Sequence, residues 1–181
     1  MSQEALIIVD MSNDFIATDG SLTVGEAGQK IVPYVKDLAD DFISKSHHVV
    51  VAMDAHQVDD DHFKLWPAHN VVGTKGQELY GELQDWFLAN QDNELVTYLP
   101  KENYNSFFKT NLAELLKDKG VDTVHVVGVA TDICVFNTVS AADAHGFKTK
   151  VHAKGVATFT DLGEIMLEHM TRCFHTEVIR N

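Results

Sequence analysis

Cys134 stands in GVATDICVFNTVSAADAHG, residues 128–146, where an apolar β-branched run gives way to an Ala-rich helical pattern. A thiol attacks an acyl carbon only as its thiolate. A strand-to-helix junction offers unpaired backbone N–H groups and the positive end of a helix dipole. The sequence therefore predicts a nucleophile with a lowered pKa at Cys134. Free cysteines also pack in cores as small hydrophobes, so the company of this one matters. Asp10 follows the buried-looking run ALIIV, and Lys101 follows Pro100 at the end of ELVTYLPK. A carboxylate at a sheet rim can be desolvated and poised to take a proton, and a lysine can orient it and compensate the thiolate. Asp14 is a second acid nearby, and composition does not rank the two. Asp132 suits a cap or a loop clamp, Asp143 a solvated helix face.

A second constellation lies in residues 54–76, a polar stretch rich in His and Asp. Asp54 and His56 are two apart, which puts both side chains on one side if strand geometry persists. His62 and His69 follow. One carboxylate and three imidazoles suit Zn²⁺, and also Fe²⁺ or Mn²⁺. A chain with ten histidines can cluster some by accident, and the alternative is a wet loop. Asp59, Asp60 and Asp61 fit loose cation binding or solvation. Trp66 offers an aromatic wall that can stack on a planar ligand, with Phe15 and Tyr104 as further candidates.

These residues need elements to position them. Strands are expected at 5–9, 47–53, 94–101, 121–128, within 147–159 and at 176–179. Helices are expected at 28–45, 78–90, 107–120, after Cys134 to about Gly146, and at 161–174. Pro33 should fall in or near a first turn. Leu162, Ile165, Met166, Met170 and Cys173 share one side of the last helix, which places Cys173 in the core. Strands alternating with helices imply a mainly parallel sheet covered on both faces, a three-layer α/β/α arrangement. Ligands of such sheets sit beyond the carboxyl ends of the strands. Asp10, Asp54, Lys101 and Cys134 all follow strand ends, so four candidates converge on one rim.

Composition narrows the rest. The 181 residues fit a single domain spanning 1–181, with 45% hydrophobic content. Fourteen basic against 27 acidic residues give a formal charge of −13, which disfavours nucleic acid and anionic membranes as partners. Two cysteines are too few for a disulfide framework. The run ALIIV is too short for a signal peptide or a span, so a soluble cytoplasmic protein is expected.

The same segments resemble a known family. ALIIVDMSNDFI, DAHQVDDDHF with WPAHNVVGTKG, PKENYNSFFKTNL and GVATDICVFNTVSAAD together look like a nicotinamidase, in the isochorismatase-like superfamily of cysteine hydrolases. Each motif is weak alone; the combination is specific and covers nearly the whole chain. The resemblance implies an isochorismatase-like fold and conversion of nicotinamide to nicotinate and ammonia through a thioester, with pyrazinamide also accepted. It implies Asp10, Lys101 and Cys134 as catalytic residues, and an oxyanion hole from the N–H groups of Ala130 and Cys134 beside a cis Val129–Ala130 bond. It further implies one divalent metal on Asp54, His56, His62 and His69, open to a pyridine nitrogen, and homo-oligomers. Asn70 departs from the pattern, since many relatives carry a cysteine there. The rival enzyme is another small-carboxamide or carbamoyl amidohydrolase of the superfamily. The rival from another class is a metal-binding structural module. Isochorismatase itself typically lacks the cysteine.

Overall fold

A computed structural model describes residues 3–181. The chain runs β1 (Gln3–Val9), α1 (Asn13–Ile16), α2 (Glu26–Ser44), β2 (His48–Asp54), α3 (Glu82–Asn90) and β3 (Val96–Lys101). It continues through α4 (Leu112–Asp118), β4 (Val121–Val129), α5 (Phe136–Ala144), β5 (Lys148–Ala157), α6 (Gly163–Phe174) and β6 (Glu177–Ile179). The six strands form one sheet in the order β3-β2-β1-β4-β5-β6, and every pairing is parallel.

β1 shows why ALIIV reads as an unbroken apolar run. Ala5, Ile7 and Val9 face a core built with α4, α5 and α6, while Leu6 and Ile8 face one built with α1, α2 and α3. A strand buried on both faces has no polar side to alternate with. The helices thus form the two outer layers of an α/β/α sandwich. From β1 the chain winds outward through β2 and β3, then crosses to β4 on the other side of β1. The crevice at such a reversal is where doubly wound sheets hold ligands. Gly128 lets the two strands approach there. Its φ is +113°, and a Cβ on it would overlap the Val9 carbonyl oxygen.

Several boundaries differ from the sequence reading. α2 begins at Glu26, because Gly25 turns the chain with φ of +68° as its N-cap, so Pro33 lies inside the helix instead of in its first turn. α4 covers only 112–118 of the expected 107–120. The Phe107 N–H is taken by the Asn105 side chain, and the Thr110 hydroxyl donates to the Ser106 carbonyl, so side chains compete with the helix there. The expected apolar side of α6 is also displaced. Its buried residues are Leu167 and Met170, whereas Ile165 is 61% exposed and Cys173 is exposed, not core. The inward stripe passes through 167, 170 and 174, which puts 173 off the face.

Among the described residues, no helix is long and apolar enough to cross a membrane.

Candidate active site

Asp10 is the residue after β1. It takes φ of +54° and donates its N–H to the Ala52 carbonyl at 3.0 Å, so the chain turns while still attached to β2. Its carboxylate is fully buried. Oδ1 accepts from the Asp54 backbone N–H at 2.8 Å and Oδ2 from Lys101 Nζ at 2.8 Å. Lys101 ends β3 and sits opposite Asp54 in the β2–β3 register. Its ammonium donates to Asp10 Oδ2, to Asp54 Oδ1 at 2.5 Å and to the Asn103 carbonyl at 3.0 Å. Three N–H donors meet three acceptors, which is what a buried ammonium requires.

Cys134 lies in a π-helical turn, Thr131–Val135, between β4 and α5. Its Sγ is within 4.8 Å of carboxylate oxygens of both Asp10 and Asp54. The peptide between Val129 and Ala130 is cis. The structure therefore brings Asp10, Lys101 and Cys134 together at the β1/β4 crevice.

The electrostatics correct one expectation. The Cys134 thiol is held well above its usual range, not below it. Burial dominates, the Asp10 charge adds to it, and the Lys101 ammonium opposes without winning. Burial, with the two flanking carboxylates added to it, outweighs the one ammonium beside this thiol. Asp10 is raised to about 6, by burial first and then by the Asp54 charge, against Lys101. For Asp54, burial pushes upward, but Lys101 and the two histidines beside it hold the carboxyl well below the usual range. Lys101 goes upward despite burial because both carboxylates favour its charge. Burial thus favours the neutral thiol, beside an Asp10 carboxyl raised to about 6.

Asp54 joins this group to the histidines. Its second oxygen is 3.6 Å from His56 Nε2 and 3.7 Å from His69 Nε2. One nitrogen each from His56, His62 and His69 lie within 4.8 Å of one another. The His56 and His62 rings stack at 4.8 Å and 7°. His56 Nδ1 contacts Asp60 Oδ2 at 2.9 Å, and His69 Nδ1 contacts the Pro67 carbonyl at 2.7 Å. Such contacts fix the tautomer that leaves each Nε2 lone pair free for a metal. His56 Nε2 is buried with no hydrogen-bond partner. A buried orphan nitrogen is costly unless something binds it, so the donor set fits a divalent cation. Asp10, Asp54 and Cys134 also sit close together, but the Lys101 ammonium already compensates those carboxylates.

Two residues do more than the sequence suggested. Besides orienting His56, Asp60 caps the 3₁₀ turn Asp61–Lys64 by accepting the His62 N–H at 2.8 Å. An Asp two residues before a histidine in a run of acids was the signal. Asn70 is fully buried; its side chain accepts from Ser12 Oγ at 2.7 Å and its N–H donates to Asp14 Oδ2 at 2.8 Å. Asp14 thus fastens the histidine loop to α1 and stands apart from the thiol chemistry. Asp143 is exposed.

A cavity opens between the thiol and the histidines. Phe15, Trp66, Tyr104, Ala130, His62, His69, Asp54 and Cys134 line it, together with Leu22, Ile133 and Phe159. The last three went unread, because isolated apolar residues carry no spacing signal. Trp66 Nε1 donates to the Tyr104 hydroxyl at 2.8 Å, which locks two walls to each other. The lining is mostly apolar and rich in aromatic residues, with polar atoms from Cys134, Asp54, His62 and His69, and it suits a small aromatic ligand.

Comparison with known proteins gives the following. The isochorismatase domain model matches residues 4–180. The crystal structure of a nicotinamidase/pyrazinamidase from Bacillus subtilis superposes with a TM-score of 0.96 at 36% identity, covering 98% of this chain and all of that one. The nicotinamidase/pyrazinamidase of Mycobacterium tuberculosis is 37% identical over 166 residues, 81% of this chain and 82% of that protein. A zinc complex of the Pyrococcus horikoshii pyrazinamidase matches with a TM-score of 0.87 at 31% identity, over 99% of both chains.

Proposed function

The chain belongs to the isochorismatase family of hydrolases, and from that premise we propose that it is a nicotinamidase: a cysteine amidohydrolase that converts nicotinamide to nicotinate and ammonia and also accepts pyrazinamide. The observation that carries this reading is a cavity lined by the Cys134 thiol and by His62, His69 and Asp54, with Asp10 and Lys101 buried behind the thiol and the unpartnered His56 Nε2 buried beside the other two histidines. The thiol and the histidines each match one end of a pyridine carboxamide.

The proton begins on Cys134, because the resting thiol is neutral. Asp10 is ionised above about pH 6 and accepts that proton as sulfur attacks the carboxamide carbon. The N–H groups of Ala130 and Cys134 stabilise the oxyanion that forms. Asp10 then protonates the departing ammonia, leaving a thioester on Cys134, and afterwards takes a proton from the water that attacks the thioester and returns it to the departing Cys134 sulfur. Lys101 keeps the Asp10 carboxylate aimed at the thiol and compensates the charge. Asp54, His56, His62 and His69 would hold one divalent ion, zinc foremost with iron and manganese compatible. That ion would supply a Lewis-acidic anchor for a ring nitrogen. Phe15, Trp66 and Tyr104 would sandwich the ring.

Ammonia release from nicotinamide and from benzamide, by the metal-loaded protein and by Cys134→Ala, tests the reading. Nicotinamide should be turned over far more efficiently than benzamide, which lacks the ring nitrogen, and Cys134→Ala should lower turnover by roughly 10⁴-fold or more. Equal efficiency on both amides would remove the ring-nitrogen anchor. Near-normal turnover by folded Cys134→Ala would remove the nucleophile.

A further inference from the structure

The loop between β5 and α6 contributes no group to the chemistry above, yet it is tied to the turn that carries the nucleophile. Asp132 lies two residues before Cys134 in that turn. Its Oδ1 accepts from the Thr158 hydroxyl at 2.5 Å and its Oδ2 from the Thr160 hydroxyl at 2.7 Å. Each hydroxyl accepts in turn from the loop's own backbone: Thr158 Oγ1 from Thr160 N–H at 3.3 Å, and Thr160 Oγ1 from Leu162 N–H at 3.1 Å. Gly163, the first residue of α6, leaves room for this packing, since a Cβ there would sit 3.1 Å from the Thr158 methyl. Both oxygens of one carboxylate therefore clamp two threonines that flank a single residue.

That residue is Phe159. The residue is 49% exposed and lines the cavity together with Ala130, Ile133 and Cys134. A lone exposed aromatic usually needs no explanation. This one is held from both sides by hydrogen bonds to the nucleophile turn, and it faces the space a ligand ring would enter. The Trp66–Tyr104 pair lines the same cavity and is fixed by its own hydrogen bond, so the room left for a ligand ring turns on where the Phe159 loop stands.

We propose that Asp132 is a positioning residue: by clamping Thr158 and Thr160 it holds Phe159 as the wall that sets the largest ring the active-site cavity accepts. The substrate arm of the proposal rests on the carboxamide-hydrolase reading. Steric discrimination in an apolar pocket amounts to tens of fold for small changes in bulk, so Phe159 would determine specificity without touching the reacting atoms.

The test uses Phe159→Ala, the double variant Thr158→Val/Thr160→Val, and Thr158→Ser/Thr160→Ser, which keeps the hydroxyls. Quinoline-3-carboxamide presents the same ring nitrogen and amide as nicotinamide but carries a fused second ring. The readout is the ratio of its kcat/KM to that of nicotinamide. The ratio should rise about tenfold or more in Phe159→Ala, rise to a smaller degree in the double valine variant, and stay at the wild-type value in the double serine variant. A general structural defect would lower both rates together and leave the ratio fixed. An unchanged ratio in Phe159→Ala overturns the wall, and an unchanged ratio in the double valine variant overturns the clamp. A second arm does not depend on turnover. In a Cys173→Ser background, the rate of Cys134 alkylation by N-phenyl iodoacetamide relative to iodoacetamide should rise in the same variants. If wild-type protein hydrolyses neither amide, the functional reading fails, and this alkylation ratio alone decides whether Phe159 sets the width.

Discussion

Two buried polar networks cross the same sheet, and they handle charge in opposite ways. At the carboxyl rim, Asp10, Lys101 and Asp54 form an ionic chain with contacts of 2.8 and 2.5 Å. Nearer the amino end of β1, beneath α2, Glu4 Oε2 meets His125 Nε2 at 3.0 Å, His125 Nδ1 meets His152 Nε2 at 2.8 Å, and His152 Nδ1 meets the Tyr34 hydroxyl at 2.8 Å. Phe42 packs edge-on against His125 from the same helix. There burial, and the cations Lys150 and, for His125, its neighbouring histidine, pull both imidazoles down to about 4 against the pull of Glu4 and Glu177, so they stay neutral. The first network retains ions in a dry place, where an apolar substitute would cost less. The second relieves the same penalty by shedding protons and fastens a helix to the sheet. Retained charge thus gathers at the candidate active site.

The comparison breaks most visibly at Lys101. Lys101→Met removes the one cation between two buried carboxylates. Stability should fall by about 3–5 kcal/mol, the cost of stranding a buried charge. Denaturant midpoints of metal-loaded protein measure it, with nicotinamide turnover lost in parallel. A variant as stable as wild type would mean that the rim carboxylates shed charge as the histidines do. Asp60→Asn probes a smaller contribution. It weakens the acceptor for His56 Nδ1 and the cap of the His62 turn, so metal affinity should drop about 10- to 100-fold, the usual effect of losing a partner behind a ligand. Competition with a chelator reads this directly. An unchanged affinity would show that the Asp60 contact does not orient His56.

How these networks could be read in advance differs as well. Asp10, Lys101 and Cys134 were legible because each follows an apolar run, and a parallel sheet gathers strand ends at one rim. The four ligand candidates were legible by residue type and spacing, and the expected α/β/α architecture is the one found. The sign of the Cys134 shift was not legible. It depends first on how deeply the assembled fold buries the thiol and then on carboxylates arriving from other strands, and no local pattern records either. His125 and His152 look like odd polar residues in apolar strands until β4 and β5 pair and α2 brings Tyr34. Cys173 was misplaced because the stripe of α6 was read one position off its true face. Asp132 offered two roles in sequence, cap or clamp, and only the distant threonines choose between them.

The smallest expected effect separates the two networks by pH. Asp10 must be ionised to accept the thiol proton, so kcat/KM should rise with pH through about 6. Stability follows a different window. A histidine held at about 4 in the fold and near 6.5 when unfolded binds more protons in the unfolded chain between those values. Its contribution is therefore present above 6.5 and is lost as pH falls towards 4. The raised Asp10 pKa works in the other direction, favouring the fold at low pH and losing that contribution as pH climbs through 6. His152→Gln leaves Asp10 and the metal ligands in place, so their contributions cancel between variant and wild type. Glutamine can still bond Tyr34 and His125 but cannot be protonated in this range. The difference in unfolding free energy between pH 7 and pH 5 should accordingly shrink by about 1–2 kcal/mol, at 1.36 kcal/mol per pKa unit. Urea melts at the two pH values measure it, and the acid limb of kcat/KM should stay where it was. A limb that moved with the melt would tie the two networks into one titrating system. A melt that did not change would mean that the imidazoles beneath α2 are not held neutral by the fold.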